Sequence, residues 1–282
     1  MEETVDTAIV VGTDFSKGSV VALEIAVDIA NKMQTDIRLV WVRKEKNLLS
    51  NDQMELAQKT AEERLANMCE QFGSRMASGR MHWEVSVGKV AQAIGEIAQR
   101  YSAPMIVIGT NGASGFEKYW MGSTAVRIVQ ESPCPVLTVR EGFDFHKTLD
   151  NIVVPIRVNA NSRQKVEPAA FMAKVFGSSI HVLGLYEGEE EKTVLQQYVR
   201  LTMEFLQQHD IEATEVFHHY ENYSQTVLAY AEEVHADLIV INTEQDKLLA
   251  RLFLGTNAQQ MVHHSQIPIL CIHPEDINGV AR

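Results

Sequence analysis

The chain repeats itself at long range. Ala8-Ile9-Val10-Val11-Gly12-Thr13-Asp14 recurs as Asn151-Ile152-Val153-Val154-Pro155-Ile156-Arg157, an offset of 143. The same offset carries residues 35–42 onto 178–185. Further along it shortens to 133, so that residues 103–108 match 236–241 and residues 135–139 match 268–272. The first copy thus holds ten extra residues between its second and fourth strands. A period this long marks a duplicated domain and not a solenoid unit. The chain has 282 residues, enough for two cores of the size at which single cores stop growing. The polar segment 140–150, which contains Gly142, is the natural boundary, giving expected domains at 1–142 and 149–276.

Each half alternates strand and helix. The strands are unbroken apolar runs of five or six residues, the pattern of parallel strands covered on both faces. Between them, Ala22, Leu23, Ala26, Ile29, Ala30 and Met33 recur at helical spacing, with Ser16 available as N-cap. Val90, Ile94, Ile97, Ala98 and Tyr101 do the same, as do their counterparts Tyr223, Val227, Tyr230, Ala231 and Val234. A longer polar helix is expected over residues 50–72, with a partner over 194–206, and third strands over 82–87 and 214–220. Pro168 stands where Ile25 does in the first copy, and should delay the start of its helix. Right-handed crossovers then make the fold α/β, a doubly wound parallel sheet in each half.

Composition narrows the function. Lys+Arg 25 against Asp+Glu 37 gives a net charge of −12, which repels nucleic acid and acidic membranes. No apolar run reaches the length of a membrane span, and the acidic start is unlike a signal peptide. Cys69, Cys134 and Cys271 lie far apart without CxxC spacing. A cytoplasmic location is the expectation.

The most informative segment follows the fourth strand. Gly109-Thr110-Asn111-Gly112 precedes nine residues and then Gly122-Ser123-Thr124, which opens a helical stretch. Open α/β sheets bind ligands beyond the carboxyl ends of their strands, where chain direction over the sheet reverses. A glycine directly after a buried strand allows positive φ and close approach of backbone to ligand. Gly-Ser-Thr at a helix start offers free N–H groups, the positive dipole end and two hydroxyls. Asp14, ending strand one, would project into the same crevice, so the expected site takes a phosphorylated small molecule.

The spacing G-x-x-G-x(9)-G-[ST], met by Gly109, Gly112, Gly122 and Ser123, resembles the nucleotide motif of the ATP-binding branch of the universal stress protein family. Val11-Gly12-Thr13-Asp14-Phe15-Ser16 is similar to that family's first strand and turn, and the resemblance spans the chain as two tandem copies. It implies two Rossmann-like sheets of five strands in the order 3-2-1-4-5. It further implies ATP, with Mg²⁺ or another divalent ion on its phosphates, as ligand. Asp14 and Val42 would flank the adenosine, while Gly112, Gly122 and Ser123 would hold ribose and phosphates, with Thr13, Gly109, Thr110, Asn111 and Thr124 completing the site. Single-domain members pair through the last strand's edge. Residues 135–139 and 268–272 could therefore pair within this chain as an internal pseudo-dimer, and whole chains could form a homodimer.

The second copy departs from this motif. Asn242, Gln245, Gly255 and Thr256 stand where the first copy has Gly109, Gly112, Gly122 and Ser123, and Arg157 replaces Asp14. Gln245 adds bulk where glycine is called for, and Glu244 and Asp246 would face phosphate with like charge. Residues 1–147 hold 16 basic and 19 acidic side chains, whereas residues 148–282 hold 9 and 18. One nucleotide per chain, in the first half, is the expectation.

No catalytic or metal-binding residue is assigned. His218-His219 fall on a strand and His263-His264 on a helix, arrangements that point neighbours apart. No Walker lysine follows the glycines, and the serine in Gly112-Ala113-Ser114-Gly115 is not a nucleophile elbow. The expected function is nucleotide-linked regulation of an unknown protein partner. The alternatives are a nucleotide-independent stress scaffold and a slow ATPase.

Overall fold

The computed structural model describes residues 7–44, 50–110, 122–143, 149–159, 161–243 and 256–273. The chain divides into two compact units, Met1–Gly142 and Phe143–Arg282. The first runs β1 (Ala8–Gly12), α1 (Lys17–Met33), β2 (Asp36–Arg43), α2 (Asn51–Gly73), β3 (Met81–Val87), α3 (Val90–Arg100), β4 (Ile106–Gly109), α4 (Ser123–Glu131) and β5 (Val136–Val139). All pairings are parallel, in the order β3-β2-β1-β4-β5. β1 lies at the centre, with Ile9, Val10 and Val11 fully buried between helices on both faces. That is why its sequence is continuously apolar and does not alternate.

The helix starts follow local chemistry. Ser16 caps α1, its hydroxyl accepting from the Ser19 N–H at 3.3 Å. At α2 the Ser50 hydroxyl accepts from the Gln53 N–H at 3.3 Å, while the Gln53 side chain accepts from the Ser50 N–H at 3.0 Å. This reciprocal box satisfies two donors that the helix itself cannot. Ser50→Ala should therefore cost about 1 kcal/mol in a urea titration. An unchanged midpoint would mean that the first turn of α2 contributes nothing to the folded unit.

The second unit repeats the plan: β6 (Asn151–Ile156), α5 (Val166–Phe176), β7 (Ser179–Tyr186), α6 (Glu189–Gln208), β8 (Ala213–His219), α7 (Tyr223–Glu233), β9 (Leu238–Asn242), α8 (Thr256–His264) and β10 (Ile269–Ile272). Its order is β8-β7-β6-β9-β10, again parallel. Helix α6 begins earlier than its apolar spacing suggests, because Glu189, Glu190 and Glu191 occupy its first turn, where the helix dipole favours acids.

Pro168 has the expected effect on α5. An offset of 143 carries Lys17 to Ala160, yet α5 starts at Val166, and both helices end at equivalent residues, Met33 and Phe176. Proline is thereby held in the first turn, where its missing N–H leaves no broken bond. Residues 161–165, before α5, form turns instead of helix. Among the described residues, no helix is long and apolar enough to cross a membrane.

Candidate functional site at the carboxyl edge of the first sheet

Register gathers the sequence-derived residues at one edge. Gly12 pairs with Val40 on one side and with Ile108 on the other. Asp14, Val42 and Thr110, each two residues further on, therefore stand near the carboxyl ends of three adjacent strands. This is where β1 sends its chain towards β2 while β4 sends its chain towards β5, the reversal at which such sheets bind ligands.

The turn after β1 is tightly tied. The Thr13 N–H donates to the Val40 carbonyl at 2.9 Å, and Thr13 Oγ1 accepts from the Phe15 N–H at 3.0 Å and meets Ser19 Oγ at 3.0 Å. Thr13 is buried, whereas Asp14 is exposed and accepts the Ser16 N–H on Oδ1 at 3.0 Å. Phe15 takes a left-handed φ of 63°, which for a residue with a Cβ costs about 1–2 kcal/mol. Its ring stacks on Trp41 at 6.2 Å, and the Arg64 guanidinium of α2 covers it at 4.0 Å. That cation–π contact returns about 0.5–1 kcal/mol. Strained residues of this kind gather at ligand sites. The sequence reading missed this stack. Its only signal was an aromatic residue inside a turn of small and polar ones.

Gly109 differs from its expected role. Its φ lies outside the left-handed region, and its close approach is to the protein's own backbone. A Cβ there would lie 2.6 Å from the Gly18 carbonyl carbon and 2.8 Å from Ser19 N, at the first turn of α1. Gly109 is thus glycine because α1 packs against β4, a reason that needs no ligand.

Gly122 presents the opposite case. It is the N-cap of α4 in extended conformation, and among the described residues a Cβ there would meet only the Thr110 carbonyl oxygen, at an ordinary 3.6 Å. Its N–H donates to that carbonyl at 2.9 Å, while the Thr110 N–H donates to Val139 at 2.9 Å. These bonds hold the start of α4 beside the ends of β4 and β5. Among the described residues, no side chain caps α4. The N–H groups of Ser123, Thr124 and Ala125 have no acceptor within the helix, and the positive end of its dipole lies here. Ser123 is exposed and Thr124 half-buried. Asn111 and Gly112 lie outside the described residues, as do Ser114 and Lys118.

In the second unit the corresponding edge is built differently. Asn242, at the position of Gly109, donates its side-chain amide to the Asn161 carbonyl, and Asn161 is the counterpart of Gly18. The retracted start of α5 gives the larger side chain its room. Gln245 and Gly255 fall outside the described residues, and of Thr256 only the backbone is described, as the first residue of α8. The paired histidines diverge as their spacing requires. His218 packs edge-on to Tyr230 at 5.4 Å and His219 to Tyr186 at 5.8 Å. His263 is buried while His264 is exposed.

Comparisons with known proteins agree with this architecture. A universal stress protein of Methanocaldococcus jannaschii is 29% identical over 143 residues, spanning 47% of this chain and 81% of that protein. A universal stress protein of Archaeoglobus fulgidus has the same fold at a TM-score of 0.80, with 19% identity, over 96% of this chain and 99% of that one. A Pseudomonas aeruginosa chain solved as a candidate member of the family reaches 0.67, at 16% identity, over 97% and 95%. The profile of the universal stress protein family matches residues 7–140 and again residues 148–273. Two successive matches, each over a five-stranded parallel sheet, make this chain a member of the universal stress protein family built as a tandem of two such domains.

Proposed function

We propose that the first unit binds an adenine nucleotide, ATP carrying a divalent cation, and that occupancy regulates how the chain meets a protein partner in the cytoplasm. The observation that carries this reading is the start of α4. Among the described residues no side chain caps its first N–H groups, which start beside Thr110, and a Cβ at Gly122 would meet only an ordinary contact. In this reading the N–H groups and hydroxyls of Ser123 and Thr124 take phosphate oxygens. Asp14 accepts from ribose hydroxyls, Val42 lines the base, and Thr13 and Thr110 hold the two turns in place. By the motif's spacing, Gly109, Asn111 and Gly112 complete the same nucleotide site. ATP would supply a polyanion whose arrival neutralises the dipole end and orders the chain around it.

A nucleotide-independent scaffold is favoured by one observation, the packing reason for Gly109. Gly122 separates the two readings. The test is to denature freshly purified protein, identify released nucleotides by chromatography, and follow thermal stability with added ATP. ATP at a hundred times its Kd should stabilise the wild type by about 2.7 kcal/mol. Gly122→Val should abolish that gain, with the loss of a favourable N-cap costing about 1 kcal/mol in the unliganded protein. Protein that is empty as purified and indifferent to ATP would overturn the proposal in favour of the scaffold.

A further inference from the structure

The second unit departs from the first where β6 ends, and the departure is cationic. At the positions of Asp14, Ser19 and Ala22 it carries Arg157, Ser162 and Lys165. Ser162 bonds to both residues: its hydroxyl accepts the backbone N–H of Arg157 at 2.8 Å, and its carbonyl accepts from the Lys165 ammonium at 2.8 Å. Lys165 is only 3% exposed. Its sequence counterpart Ala22 is wholly buried inside α1, whereas Lys165 is the N-cap residue at the retracted start of α5.

An ammonium has three donors. Beyond the Ser162 carbonyl, Lys165 finds no acceptor and no carboxylate among the described residues. Burial, with the Arg157 charge adding to it, pushes the lysine down to about 7. Arg157 is half-exposed, lies over the Tyr223 ring at 4.8 Å and hydrogen-bonds to the Tyr220 hydroxyl. Tyr220 in turn donates to Glu187 at 2.6 Å.

Unmet acceptors border the same segment. Asn242 and Gln164 both spend their amide nitrogens on Asn161, and the buried Asn242 Oδ1 and Gln164 Oε1 are left without donors among the described residues. Buried polar groups without partners are costly, so an edge with spare donors and spare acceptors calls for a ligand offering both. An oxyanion bearing a hydroxyl does so. Its charged oxygens suit an arginine fork and an ammonium, and its O–H suits an amide oxygen.

We propose that the second unit binds a small phosphate-class oxyanion at the carboxyl end of β6, with Arg157 as its outer contact and Lys165 as the interior charge. This site stands independently of the nucleotide site of the first unit. The test uses the full chain and two probes, inorganic phosphate and glycerol phosphate, each titrated by calorimetry. Arg157→Gln and Lys165→Met should each weaken binding roughly tenfold or more, as expected for losing a charged hydrogen bond. Gly122→Val should leave it unchanged. Circular dichroism melts of the same variants establish that they remain folded.

Tighter binding of glycerol phosphate would identify a phosphomonoester, and equal or tighter binding of inorganic phosphate the free ion; both support the site. An absence of saturable heat from both probes would overturn it. So would binding that survives in folded Arg157→Gln and Lys165→Met, or binding lost only in Gly122→Val, which would belong to the first unit. ATP titrations of Arg157→Gln should match the wild type, so failure here is distinguishable from failure of the nucleotide reading.

Discussion

Gly109→Val should destabilise the first unit by about 3 kcal/mol or more, at the upper end of what overpacking costs. The obstacle is backbone, with the Gly18 carbonyl carbon, the Gly18 oxygen and Ser19 N at 2.6–2.8 Å from the position of a Cβ. Side chains can rotate away from an intruder, whereas a helix turn bonded to its own neighbours has to move as a body. Equilibrium denaturation of Gly109→Val beside Gly122→Ala is the measurement, because among the described residues a Cβ at Gly122 meets only a 3.6 Å contact. Equal midpoints for the two variants would refute the close packing of α1 on β4. The result also disciplines the functional assay. A Gly109 variant that no longer binds ATP could have lost the site through a displaced α1, so Gly122 is the better probe of ligand contact.

Lys165→Met should make the second unit more stable near pH 6, by about 1–4 kcal/mol, the range found when buried charges give way to apolar groups. The sign follows from the depressed lysine, about 7 in the folded chain against an ordinary 10.5. Below pH 7 the lysine is protonated in both states, and the folded state bears the cost of burying the charge. Between pH 7 and 10.5 the unfolded chain holds a proton that the folded chain has released, so wild-type stability climbs by on the order of 1 kcal/mol per pH unit. Above 10.5 the contribution levels off. The groups facing Lys165 act alongside it: Arg157 repels the charge, the Ser162 carbonyl accepts from it, and Tyr220 and Tyr223 surround Arg157. Comparing denaturation of wild type and Lys165→Met at pH 6 and pH 9 isolates this one group. A stability difference that stays constant with pH would mean that Lys165 is solvated.

Particular elements divide between what could be read directly and what could not. Continuous apolar runs marked the strands because a parallel strand covered on both faces has no polar face to show. Ser16 marked a helix start because a cap bonds within its own turn, three residues away. The delay of α5 was legible for the same reason, since proline acts on its own turn. The site was legible in part. The reversal point and the helix start after Gly122 follow from strand order and local composition, so Asp14, Thr110 and Ser123 could be named.

The sequence by itself determined the duplication, the strand-and-helix alternation, the Ser16 cap and the edge of the sheet where a ligand site can form. Each of these is written in a repeat, a period or a turn, over a few residues at a time. Tertiary structure alone decided why Gly109 must be glycine, how Phe15, Trp41 and Arg64 stack, and that Lys165 is buried beside Arg157. Gly109 meets Gly18, and Arg64 meets Phe15, across stretches of chain that leave no periodic trace. A lysine in a polar turn reads as solvated until the path of the surrounding chain encloses it. Close packing sets distances between segments, and a linear sequence carries those distances only after it has folded.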